Sequence, residues 1–160
     1  MKFFKAKYVG KRRFDAAWDT ALEAYRQHLK TIFPALPESV QAFERYTNRF
    51  PLHDGGVESI SRNESRELHI ELDDRRLEFL AVHESSFPEP LLDRTVWLYE
   101  ELDRTNGGFE LRALFDTGEL RVVAKEIRVF DKRLKRYVIP AELPPEPSRL
   151  FLDRKPGRKP

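Results

Sequence analysis

The chain contains no cysteine, which excludes disulfides, thiolate zinc sites and a cysteine nucleophile. It also lacks other common catalytic signatures. No serine sits in a Gly-x-Ser-x-Gly elbow, and there is no Gly-rich phosphate loop, because Gly107-Gly108 reads as a hairpin turn. The histidines show no His-x-x-x-His spacing. No apolar run approaches the roughly 18 residues that a membrane span needs. The opening Met1-Lys2-Phe3-Phe4-Lys5 lacks the apolar stretch of a secretory signal. These absences lead us to expect no membrane contact, a cytoplasmic location, no cofactor and no metal.

What remains is a chain of 160 residues, one domain by length, with 40% hydrophobic residues for a core and 35% charged residues for a well solvated surface. Its net charge of +2 is unevenly spread. Residues 1–13 hold six basic groups and no acid, residues 149–160 hold five basic groups and one acid, and the body from 14 to 131 is acidic. Basic ends on an acidic body lie back on it, are simply solvated, or touch nucleic acid or an acidic partner, and the acidic body argues against broad nucleic-acid binding.

Apolar periodicity supplies the elements. Trp18, Leu22, Tyr25, Leu29 and Ile32 recur at helical spacing, predicting a helix over 14–32 that Pro34 stops. Val40, Phe43 and Tyr46 or Thr47 mark a second helix over about 37–47. From 57 to 130 the period changes to two. Leu68, Ile70 and Leu72 pair with Leu77, Phe79 and Ala81 across a four-residue connection at 73–76. Leu111, Ala113 and Phe115 pair with Ala124, Val122 and Leu120 across Thr117-Gly118, which sets Glu110 opposite Lys125. Asn106-Gly107 marks another hairpin after 95–103, a strand on which either Glu100 or Glu101 falls on the core side. A bulge near Lys125-Glu126 absorbs a change of phase. An edge strand over 3–9 and a last strand over 134–139 complete the pattern. The expected fold class is α+β: two N-terminal helices packed on one face of a five- to seven-stranded antiparallel meander sheet. Residues 1–139 form the single domain. Residues 140–160 form a Pro-rich basic tail, docked through Leu150, Phe151 and Leu152.

Two places draw functional attention. The loop His53-Asp54-Gly55-Gly56 lies between the helices and the sheet, where functional loops often sit. An imidazole and a carboxylate there suit metal-assisted or acid–base catalysis, but neighbours on an extended segment point apart, so a turn is the expected role. The second place is the sheet face opposite the core. The expected register puts Leu80, Val82, Leu114 and Val123 on it, rimmed by Glu71, Glu78 and Arg112, a pattern that fits a protein partner. The best reading is a non-enzymatic protein-binding domain. The His53-Asp54 enzyme and nucleic-acid contact through the basic ends are the alternatives.

The Met-Lys-Phe-Phe opening, Leu52-His53-Asp54 entering Leu68-x-Ile70-x-Leu72, and Trp97-Leu98-Tyr99-Glu100-Glu101 before Phe109-Glu110-Leu111 resemble a group of small bacterial proteins of unknown function. Their common trait is a Leu-His-Asp start to an antiparallel sheet. Some of that group look like immunity proteins of bacterial toxin systems. The resemblance implies protein binding and brings no catalytic residues.

Overall fold

The computed structural model describes residues 1–4, 16–87, 95–138 and 143. The two apolar stripes form two helices, α1 (Ala16–Ile32) and α2 (Glu38–Arg49). Between them Phe33–Ala35 makes one 3-10 turn, and the Pro37 carbonyl accepts the Val40 and Gln41 N–H groups to open α2. On α2 the expected residues Val40, Phe43, Tyr46 and Thr47 are buried, and Glu44 is buried among them. α1 lies against the sheet with no residue fully buried.

Nine strands follow: β1 (Gly56–Arg62), β2 (Leu68–Leu72), β3 (Arg75–Leu80), β4 (Glu84–Ser86), β5 (Thr95–Thr105), β6 (Gly108–Phe115), β7 (Gly118–Ala124), β8 (Glu126–Asp131) and β9 (Arg136–Tyr137). All pairings are antiparallel, so the fold is α+β as the periodicity predicts. The sheet is larger than five to seven strands. β1 buries only Val57 and β4 buries nothing, so neither carries an alternating apolar signal. Backbone pairing holds them instead.

The sheet is also not a simple meander. Its order is β4-β7-β6-β5-β1-β2-β3-β8-β9. β3 pairs with β8 while the next strand, β4, pairs with β7. At the junction the Lys125 N–H donates to the Leu80 carbonyl at 3.2 Å and the His83 N–H to the Val123 carbonyl at 2.8 Å. One bent ribbon, 75–86 against 121–131, therefore joins the two ends of the order, and the sheet curls into a ring. Phe79 of β3 and Phe109 of β6 stack at 6.3 Å within it. The phase change near Lys125 is thus a strand passing from one neighbour to another. Leu80 faces Glu126 but Glu84 faces Val123, a one-residue register shift across the bend.

Both expected hairpin registers are corrected by two residues. Leu68 faces Phe79 and Ile70 faces Leu77, leaving only Asp73-Asp74 in the turn. Leu111 faces Val122 and Ala113 faces Leu120, so the second turn is Asp116-Thr117 and Glu110 stands opposite Val123, not Lys125. A slip of two preserves side-chain parity. The apolar residues expected inside are therefore inside, apart from Ala81, which is exposed with φ of 51°. That left-handed residue breaks the alternation and turns Val82 into the core instead.

No helix among the described residues is long and apolar enough to cross a membrane. The expected strand at 3–9, the basic segment of the N-terminus beyond residue 4 and the docking of residues 150–152 lie outside the described residues.

Candidate functional site

α1 does not close fully onto the rest of the domain. Between α1, α2, the loop ahead of β1 and strand β5 lies a cleft of about 750 Å³. The apolar stripe of α1 faces it with Trp18, Leu22, Tyr25 and Leu29, and Leu98 and Tyr99 of β5 stand across. Phe4 adds a further wall, its ring 5.0 Å from Trp18 and 5.3 Å from Tyr25. The stripe that reads as core packing is thus mostly the lining of a cavity.

A bulge in β5 between Trp97 and Tyr99 sets the polar side of the cleft. After it, Glu100 pairs with Ala113 and Glu101 with Arg112, so the two acids take opposite faces. Glu100 lines the cleft and accepts the Trp97 indole N–H at 2.8 Å. From α2, buried Glu44 lines it too and accepts the Asn48 side-chain N–H at 2.6 Å. The Tyr25 hydroxyl accepts the Leu102 N–H at 2.9 Å. Burial pushes the Glu100 carboxyl up to about 7, with the Trp97 bond opposing and the Glu44 charge adding to the rise. Burial likewise raises Glu44, against the bonds from Asn48 and Thr47. The Tyr25 hydroxyl is raised by burial and then by the Glu44 charge.

His53 and Asp54 line the same cleft. Their side chains do not point apart as an extended segment would require. Asp54 has φ of 67°, and this left-handed turn brings its Oδ2 to 2.8 Å from His53 Nδ1. The His53 ring packs 5.2 Å from Tyr99. Among the described residues no three His, Asp or Glu side chains group so as to hold a metal.

The expected partner face is corrected. Val82 and Leu114 are buried, at 0% and 1% exposure, so no continuous apolar patch joins them to the partly exposed Leu80 and Val123. Val82 leaves that face through the Ala81 bend. The charged residues named with it are engaged: Glu78 with Arg76 at 2.7 Å, Glu71 with Lys132 at 3.0 Å, and Arg112 with Glu110.

Sequence reasoning found His53 and Asp54 and narrowed one acid to Glu100 or Glu101. It missed Glu44. The signal was present, because Val40, Phe43, Glu44 and Thr47 share one helical stripe and an acid inside such a stripe is buried beside something polar or beside a cavity.

The match to known sequences spans α1, α2 and β1 to β7, and so most of the cleft. No curated protein matches the chain. A family described as "Protein of unknown function (DUF4085)" matches residues 5–124, and the chain belongs to that family.

Proposed function

We propose that this domain binds a small, largely apolar molecule in the cleft between α1, α2 and β5. The observation that carries the reading is the cleft itself. At about 750 Å³ it lies within the range of small-molecule sites, roughly 300–1,000 Å³, and combines apolar walls with a few polar groups. Buried carboxyls with raised proton affinity beside a cavity are the usual mark of such a site. A neutral environment-sensitive dye such as Nile red tests it. Saturable binding at one site per chain, weakened by filling the cleft with Leu29→Trp, is the expected result. Non-saturating binding, or binding indifferent to Leu29→Trp, overturns the reading.

The contact between His53 and Asp54 favours a second reading, acid–base catalysis in the same cleft. A carboxylate 2.8 Å from an imidazole nitrogen holds the ring in one orientation. On this reading a bound ligand is converted and His53→Ala abolishes conversion while leaving binding intact. Recovery of the ligand unchanged from wild type rejects it. Protein binding through the outer sheet face, the immunity-like alternative, keeps Leu80 and Val123 as its partly exposed apolar residues. A pull-down with Leu80→Asp decides it: losing a partner while the fold persists supports that alternative.

A further inference from the structure

The buried carboxylates of this domain, taken with the half-buried Glu100 of the cleft, fall into two groups. Glu101 accepts the N–H groups of Lys2, Phe3 and Phe4 at 2.5–2.7 Å. Glu110 lies between Arg112 and Arg121. Glu78 holds Arg76 and the Tyr137 hydroxyl, and Asp131 holds Arg133, the Tyr46 hydroxyl and two backbone N–H groups. Each is met by a cation or by several donors. Glu44 and Glu100 are not. Glu44 is met by the neutral side chains of Asn48 and Thr47 and Glu100 by the Trp97 indole N–H, and no Lys or Arg lies within ion-pair distance of either among the described residues, Arg75 acting on Glu100 only from farther away. These two are the carboxylates of that set that line the cleft.

Resting on the small-molecule reading, we infer that the ligand is an apolar amine, its ammonium held by Glu44 and Glu100 and its hydrocarbon or aromatic body laid against α1. A buried carboxylate without a counter-charge is costly, and a bound cation removes that cost while gaining charge-assisted hydrogen bonds. An alcohol or amide supplies a donor but no charge, and an acid meets repulsion. Of the cations that α1 brings to the cleft, Lys30 is exposed and Arg26 lies 3.8 Å from Glu23. The rings of Phe4, Trp18, Tyr25 and Tyr99 add faces that attract a cation.

Proton linkage supports this. Tyr25 from α1, Glu44 from α2, Arg75 from β3 and neighbouring Glu101 act on Glu100 or share its surroundings, and His53 and Asp54 line the same cleft. With Glu100 ionising at about 7, the amine site is assembled above that pH and dismantled below it.

The test uses three matched probes, 4-phenylbutylamine, 4-phenylbutanol and 4-phenylbutyric acid, titrated calorimetrically into the whole protein. A primary amine keeps its charge at both test conditions, about pH 8 and about pH 5.5, because its pKa lies near the lysine value of about 10.4. We expect the amine to bind roughly tenfold or more tighter than the alcohol at the higher pH. The preference should shrink at the lower pH. Glu100→Gln and Glu44→Gln should reduce the ratio of amine to alcohol affinity, with folding checked by thermal melts. Leu29→Trp should weaken amine and alcohol together. Equal binding of amine and alcohol, or tighter binding of the acid, overturns the amine class while the cleft stands. Amine binding that survives Leu29→Trp places it elsewhere and overturns the inference. If none of the three binds, the cleft reading falls with it.

Discussion

Helix α2 presents two polar side chains two residues apart to two different surroundings. On one side Tyr46 donates to Asp131 at 2.9 Å, within a network where Arg75 holds Asp74 and Arg133 reaches Asp131 at 3.2 Å. On the other, Glu44 turns to the cleft with only the neutral side chains of Asn48 and Thr47 bonded to it. The first region is dense with matched charge and ties α2 to β3 and β8. Its polar groups stabilise the fold because each has its partner. The second carries unmatched charge beside an open volume. Polar groups are therefore no guide to function here; the balance of charge around them is.

The largest effect should come from breaking the matched network. Asp131 is 1% exposed, and Asp131→Ala leaves the Tyr46 hydroxyl and the Arg133 and Leu134 backbone N–H groups without their acceptor, though Arg133 keeps Asp74, so it should cost about 3 kcal/mol in urea unfolding. The same carboxyl sets an acid limit. Burial pushes it up, but the bonds from Arg133, the Leu134 N–H and Tyr46 outweigh that and hold it at about 2. A lowered carboxyl stabilises above its ordinary value of 3.8, and that stability is lost as pH falls through about 2. In Asp131→Ala this part of the acid transition should be missing.

The cleft should respond with the opposite sign. Glu100→Gln removes a carboxyl that resists ionising, and should stabilise the free protein at about pH 8 by on the order of 1–2 kcal/mol. Because its proton affinity is raised, the wild-type penalty is absent below the ordinary 4.5, grows as pH rises to about 7 and is constant above. The gain from Glu100→Gln should therefore vanish near pH 4. A destabilised mutant would mean that the carboxylate is matched after all, and the contrast between the two regions would fail.

The smallest effect serves as a control. Glu126 and Arg128 pair at 3.6 Å with both side chains more than half exposed. Glu126→Gln should shift unfolding by less than about 0.5 kcal/mol. A larger shift would show that surface charge, not its matching in the interior, governs stability.

The two regions were unequally legible in the sequence. Helical and alternating periods revealed both helices and the apolar faces of β2, β3, β6 and β7, because burial alone fixes which residues face inward. They did not fix register, since a slip of two residues leaves every face unchanged. The short connections at Asp73-Asp74 and Asp116-Thr117 set it instead. β1 and β4 were silent because backbone bonds hold them, and the ring was silent because it depends on one left-handed residue, Ala81. Of the site, the pairing of His53 with Asp54 was hidden by the conformation of Asp54. The unmatched state of Glu44 and Glu100 was hidden more deeply. It depends on which cations stay away, and no local pattern records that.

The central claim, that the cleft holds unmatched carboxyls while the network under α2 holds matched ones, is tested most directly by carbon-13 NMR titration of the Glu and Asp side-chain carboxyls in the free protein. The account predicts Glu100 ionising at about 7 and Asp131 at about 2 in the same sample. A Glu100 that titrates at its ordinary value of 4.5 would contradict it.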